Sequence, residues 1–274
     1  MGLASLGLTC GSLPPYSGAV DVPAGTVISG KRITAPLNVS AGGIVIERSC
    51  VQLESAVRGM PAVATTNYNT LKPAAGAVVI RDSELDGSLL APELAATVTG
   101  VVGVADLVNN YIHHFGSGIM LMDTGTQMDV LVERNYVTGL LAWGDAANEG
   151  THSDAFTVRD FDASLNPERR LVVQGNRFDC NSGNDTGALF IQTYAGRIDN
   201  VVIERNLLEG AGYQLGLNEV NAPYGSLHAV DNRFSGSGYG PAYVQGGQGW
   251  SLWKDNALFE PDAPDARGEP VHRP

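Results

Sequence analysis

Residues 150–158, GTHSDAFTV, set His152 and Asp154 two positions apart where a turn runs into an apolar-polar alternation. An imidazole and a carboxylate at that spacing can share a proton or a cation if they face one side of the chain. An aspartate in such a place can also cap the backbone amides of its own turn, so both readings stand. Arg159 follows five residues later, and Gln192, Tyr194, Arg197, Tyr213 and Asn218 lie in or just after later segments of the same pattern. His152, Asp154 and Arg159 are read as the reactive set and the other five as residues that would hold a ligand. Tyr194, Tyr213 and Tyr243 offer faces for stacking and hydroxyls for proton donation, with packing as the competing role. Arg197 competes in the same way with an ordinary surface charge. No metal-ligand set is read, because His113 and His114 are neighbours and neighbours on a strand face opposite sides. The glycine-rich phrases at 210–216 and 234–240 lack a following helix and GxxxxGKS order, so they are turns and not phosphate loops.

Such residues need a frame, and the chain supplies it by repetition. One phrase recurs eight times: apolar-polar alternation, then Asn or Ser, then any residue, then an apolar one. The copies are 44–51 (IVIERSCV), 78–85 (VVIRDSEL), 106–112 (DLVNNYI), 130–137 (VLVERNYV), 171–178 (LVVQGNRF), 201–208 (VVIERNLL), 227–234 (LHAVDNRF) and 250–258 (WSLWKDNAL). Their polar markers, Ser49, Ser83, Asn110, Asn135, Asn176, Asn206, Asn232 and Asn256, stand 24 to 41 residues apart, about one solenoid coil. No helical pattern separates the copies, which excludes a doubly wound sheet or a βα barrel. The pattern predicts an all-β chain, a single-stranded right-handed parallel β-helix of about eight or more coils, whose asparagines stack as a ladder and tolerate left-handed backbone.

A second strand family follows most copies, at 118–122, 154–160, 188–194, 214–220 and 242–246. Alternation turns Ile119, Leu121, Phe156, Val158, Leu189, Ile191, Leu215 and Leu217 inward. Met120, Met122, Thr157, Arg159, Phe190, Gln192, Gly216 and Asn218 then face out, in a column whose ~4.8 Å step suits a sugar chain. Longer insertions fall at 54–76, 86–103, 139–153 and 161–170, the last two as walls beside the His152–Asp154 strand. The expected division is a cap over the end of the coil stack at 1–21, the β-helix at 22–260 and a poorly packed tail at 261–274.

Thirty-four glycines and fourteen prolines against seventeen Lys plus Arg fit many turns and few helices. A net charge of −12 opposes a sequence-independent grip on nucleic acid or an anionic membrane, and excludes both as expected partners. Cys10, Cys50 and Cys180 lack CxxC spacing and read as buried free thiols, with a Cys10–Cys50 bridge as the second reading. The first twelve residues carry no basic n-region, and no apolar run reaches the ~18 to 20 residues that span a bilayer. The expectation is a soluble protein without a signal peptide in this chain.

The phrases VPAGTVISGKRI (22–33), HSDAF (152–156), ALFIQT (188–193) and NLLEGAGY (206–213) resemble bacterial right-handed parallel β-helix proteins of the pectate-lyase-like superfamily. The resemblance runs from residue 22 to about 256. It implies that fold and a polysaccharide substrate, with lyase, glycoside hydrolase or uronate epimerase chemistry. The HSDA strand is similar to the Asn-Thr-Asp-Gly strand of polygalacturonases, with Asp154 in the place of the acid. Where that family has paired aspartates on the next coil, this chain has Asp185, Thr186 and Gly187, and its Gly-His-Gly and Arg-x-Lys phrases are absent. Ordinary polygalacturonase activity is therefore not expected. A lyase would hold Ca²⁺ on carboxylates and use a basic residue, for which Arg159 and Arg197 are the candidates, since Lys31, Lys72 and Lys254 lie elsewhere. A hydrolase would pair Asp154 with Asp123, Asp145, Asp160 or Glu219. The functional expectation is action on an extracellular polysaccharide by β-elimination or glycosidic hydrolysis, with no certain cofactor beyond an optional Ca²⁺. The alternative is a noncatalytic glycan-binding or phage tail-type module. Either would be extracellular or virion-associated, as a monomer or homotrimer.

Overall fold

In the computed structural model the chain is all-β and winds through three sheets in turn, strand by strand. Residues 1–66, 72, 74–122, 127–210, 212–236 and 238–274 are described, without the side chains of Asp185 and Thr186. Among them the first sheet has nine strands, from Val27–Ser29 to Leu252–Lys254, the second ten and the third eight. Each strand pairs in parallel with the strand three places on, so that Val45 sits beside Val79 and Ile203 beside Ala229. The exception is the last pairing, in which Arg267–Pro270 runs antiparallel to Ala257–Phe259. This is the topology of a parallel β-helix with one coil per repeat.

The repeat makes the core directly. In Ile44–Glu47, Val130–Glu133, Leu171–Gln174, Val201–Glu204 and Leu227–Val230 the first and third residues are buried and the second and fourth partly exposed. Alternation in these coils thus stacks one apolar side chain above another, each worth about 1.5–3 kcal/mol when fully buried. The eight marker residues form the expected ladder along the corner between the first and second sheets. The backbone N–H of every marker before the last, Asn256, donates to the next coil's marker: Ser83 N–H to Asn110 Oδ1 at 3.1 Å, Asn110 to Asn135 at 3.0 Å, and Asn135 to Asn176 at 2.8 Å. The left-handed backbone belongs to the residue before the marker, as at Arg48, Asp82, Asn109, Arg134, Arg205, Asp231 and Asp255. The marker itself keeps its side chain aimed along the stack.

The third sheet carries the second strand family, including Ser117–Leu121, Ser153–Val158, Asp185–Gln192, Tyr213–Asn218 and Gly240–Gln245. The eight residues expected to face inward are all buried. Strict alternation nevertheless fails at the strand starts. Ala155 and Phe156 both enter the core, as do Ala188 and Leu189, and the register shifts between Ser153 and Asp154.

The N-terminal end departs from expectation. Residues 1–12 run along a flank instead of capping the end: Gly2 N–H donates to the Asn109 carbonyl at 3.0 Å, and Cys10 is disulfide-bonded to Cys50. The reading of three free thiols is therefore corrected, since Cys180 alone is outside a disulfide, with its thiol donating to the Ser153 carbonyl at 3.2 Å. Residues 15 and 21 bridge in parallel to Arg32 and Asn38 at the edge of the stack. None of residues 261–274 is buried, but the tail is tied to the last coil: Trp253 Nε1–H donates to the Val271 carbonyl at 2.8 Å, beside the antiparallel strand.

Candidate functional site

The irregular strand start decides where Asp154 points. Parity counted from Phe156 and Val158 would bury it in the core, but Ala155 and Phe156 both join the core, and the Asp154 charge acts on the Tyr243 phenol of the outer face. There it shares a register position with Gly187, Tyr213 and Gly240. The adjoining outward position holds Met120, Thr157, Phe190, Gly216 and Tyr243. Thr157 and Phe190, expected to face solvent, are buried by their stacked neighbours on that face. A Cβ on Gly216 would lie 2.6 Å from both Phe190 Cδ2 and Tyr243 Cε1, so only glycine lets these two rings converge over it.

Four aromatic side chains line this part of the face. Tyr213 packs against Tyr243 at 4.5 Å between ring centroids and against the exposed Tyr239 at 5.6 Å, and Phe190 lies 6.2 Å from Tyr243. Asp154 is 3% exposed, and its backbone N–H donates to the Ser117 hydroxyl at 3.3 Å. Burial, followed by the negative charge of Asp154 and the neighbouring Tyr213, pushes the Tyr243 phenol up to about 12. Tyr243 is thus a proton donor at neutral pH, facing a carboxylate.

A second row lies at the other end of the same strands. Arg159 donates to Gln192 Oε1, Gln192 is in register with Asn218 and Asn218 with Gln245. The Arg159 guanidinium stands 5.7 Å from the Tyr194 ring centroid, and Tyr194 is exposed. Five residues of strand separate Asp154 from Arg159, on the order of 15 Å. The two are on one face but not at one reacting atom. His152 is exposed just before the strand. Arg197 is committed elsewhere: its Nε–H donates to Asp199 Oδ2 at 2.6 Å, which raises its pKa further.

The carboxylates named as partners for Asp154 do not join it. Asp160 and Glu219 lie in rows beyond Arg159 and Asn218, well outside the ~5–9.5 Å that glycosidic hydrolysis by two carboxyls requires. Asp145 accepts from the Ala147 N–H and Asn148 Nδ2–H of its own turn, which hold its pKa below the usual range. Asp123 is outside the described residues. A cleft of about 700 Å³ beside the ladder, near the end of the stack, offers no alternative centre. Its charges pair with one another, Arg233 with Asp231 at 2.8 Å and Arg267 with Asp255 at 3.2 Å.

Sequence reasoning missed a second cluster. His113 and His114 do not face opposite sides: His114 has φ +58° and leaves the strand, which brings its Nδ1 to 2.6 Å from His113 Nδ1. Asp86 Oδ1 lies 3.5 Å and 3.8 Å from those two nitrogens. The exclusion of a two-histidine site is therefore corrected, because the alternation rule holds only within a strand. The adjacency of the two histidines was legible; the left-handed corner was not.

No family model matches the chain, and neither a curated protein nor a solved structure matches it significantly.

Proposed function

We propose that this protein is a right-handed parallel β-helix that engages an extended polysaccharide along the outer face of its third sheet. Right-handed winding is the hand that parallel crossover connections take almost without exception. The observation that carries the ligand reading is the joining of Asp154 with the rings of Phe190, Tyr213 and Tyr243 on one face, continued by the Arg159–Gln192–Asn218 row. Aromatic rings stack on sugar faces and amides bond hydroxyls, and the coil repeat spaces these groups at the pitch of parallel strands. Asp154 serves as base and Tyr243, kept protonated, as the donor to the leaving oxygen, an assignment that suits either β-elimination or hydrolysis by water. The Cys10–Cys50 disulfide supports an oxidising, extracellular setting.

A second reading, a noncatalytic glycan-binding module, is favoured by one observation: among the described residues, none of the carboxylates considered as partners stands opposite Asp154. Both are tested by incubating the wild type and Asp154→Ala with neutral and uronate polysaccharides, with and without Ca²⁺. Ultraviolet absorbance of unsaturated uronates reports elimination and new reducing ends report hydrolysis. A signal lost in the variant supports the enzyme; glycan retention without cleavage supports the module. Absence of both cleavage and retention with every glycan ends the proposal.

A further inference from the structure

We propose that Asp86, His113 and His114 form a binding site for a divalent transition metal of the zinc class, with a coordination position left open. The proposal stands apart from the glycan reading and uses none of its residues. The three ligand atoms, Asp86 Oδ1, His113 Nδ1 and His114 Nδ1, form a triangle with sides of 2.6, 3.5 and 3.8 Å. Such a triangle has a circumradius of about 2.0 Å, so an ion can stand at Zn–N and Zn–O bonding distance from all three at once. Two imidazoles and a carboxylate are the donor types this class of ion selects, and Ca²⁺, which takes six to eight oxygens, is not suited to them.

The surroundings hold each ligand for that task. His113 Nε2 faces Glu84 Oε1 at 3.1 Å, which places the ring proton on Nε2 and leaves Nδ1 bare. Tyr111 stacks on the His113 ring at 4.1 Å between centroids, which fixes its plane. Asp86 accepts from Gln52 Nε2–H at 2.8 Å and from the Ser88 N–H and hydroxyl at 2.7 and 2.9 Å. His114 sits in a left-handed backbone conformation that costs a non-glycine residue energy, and the payoff is that its ring joins that of His113.

Access is built in. The corner at 114–116 is short, whereas the same corner is longer at 53–62, 87–98 and 139–152. His114 is about half exposed at the bottom of that notch, while His113 and Asp86 are buried. The fourth position therefore faces solvent, as in zinc sites that hold a water or an exogenous ligand.

The test is calorimetric titration of chelator-treated full-length protein with Zn²⁺ and separately with Ca²⁺, with Co²⁺ absorbance in the visible as a report on nitrogen ligation. One Zn²⁺ per chain is expected, with no Ca²⁺ binding at this site. His114→Ala removes an exposed ring and should abolish binding with an unchanged circular dichroism spectrum. Asp86→Asn should do the same. Glu84→Gln, which acts through His113, should weaken binding roughly 10- to 100-fold. Failure of the folded wild type to take up Zn²⁺ at micromolar concentration overturns the site, as does equal uptake by folded His114→Ala and Asp86→Asn; the histidines are then a hydrogen-bonded pair only.

Discussion

Tyr243 illustrates how one phenol acquires its chemistry from neighbours on other coils. Burial is the larger cause of its raised pKa and the Asp154 carboxylate the next, and both act only because Gly216 leaves space for the ring to lean across the face. The folded protein holds the phenolic proton more tightly than the unfolded chain, whose value is 10.0. The stability this contributes is therefore complete below pH 10 and is lost as pH rises through about 12. Thermal melts from pH 9 to 12 should show a fall in melting temperature that is smaller in Tyr243→Phe. An equal fall in the two proteins would mean that Tyr243 is not buried against Asp154.

The ladder is the element on which the coil stack depends. Asn176 Oδ1 accepts from the Asn135 N–H and Nδ2–H at 2.8 and 3.0 Å, and its Nδ2–H groups donate to the Val132 carbonyl and Asn206 Oδ1 at 2.9 Å. Asn176→Ala orphans several buried groups at once and should destabilise the fold by roughly 3–5 kcal/mol, read by urea denaturation. Asn176→Ser should cost roughly half of that, since Ser83 already fills the same place with its hydroxyl accepting from the Ser49 N–H at 3.2 Å. A cost below about 1 kcal/mol for Asn176→Ala would show that the stack holds without its ladder. These asparagines were legible in the sequence because the bond runs between equivalent positions, and equivalence is what a repeat displays. The strand starts were not legible: the irregularity at Ser153–Asp154 depends on how the next coil at Asp185–Gly187 pairs with it, which no local pattern records.

Across the whole molecule, the disulfide ties residues 1–12 to a flank more than one coil deep, from Cys50 to Asn109. Closing a loop of 40 residues contributes about 4 kcal/mol in the chain-entropy model. Cys10→Ser should lower stability by roughly 2–4 kcal/mol and open the first dozen residues to limited proteolysis, with the coils beyond them intact by mass spectrometry. Resistance to proteolysis equal to that of the wild type would show that noncovalent packing alone holds the segment. By itself the sequence determined the all-β class, the coil repeat, the inward residues and the ladder, because each follows from the period-2 alternation of side chains repeated at one spacing. Only the tertiary structure decided which way Asp154 faces, that Cys10 meets Cys50, and that His113, His114 and Asp86 converge. Those outcomes rest on two consecutive core residues at a strand start, a crossing of the flank and a left-handed corner, where the chain departs from its repeat and neighbours in space are no longer set by spacing in sequence.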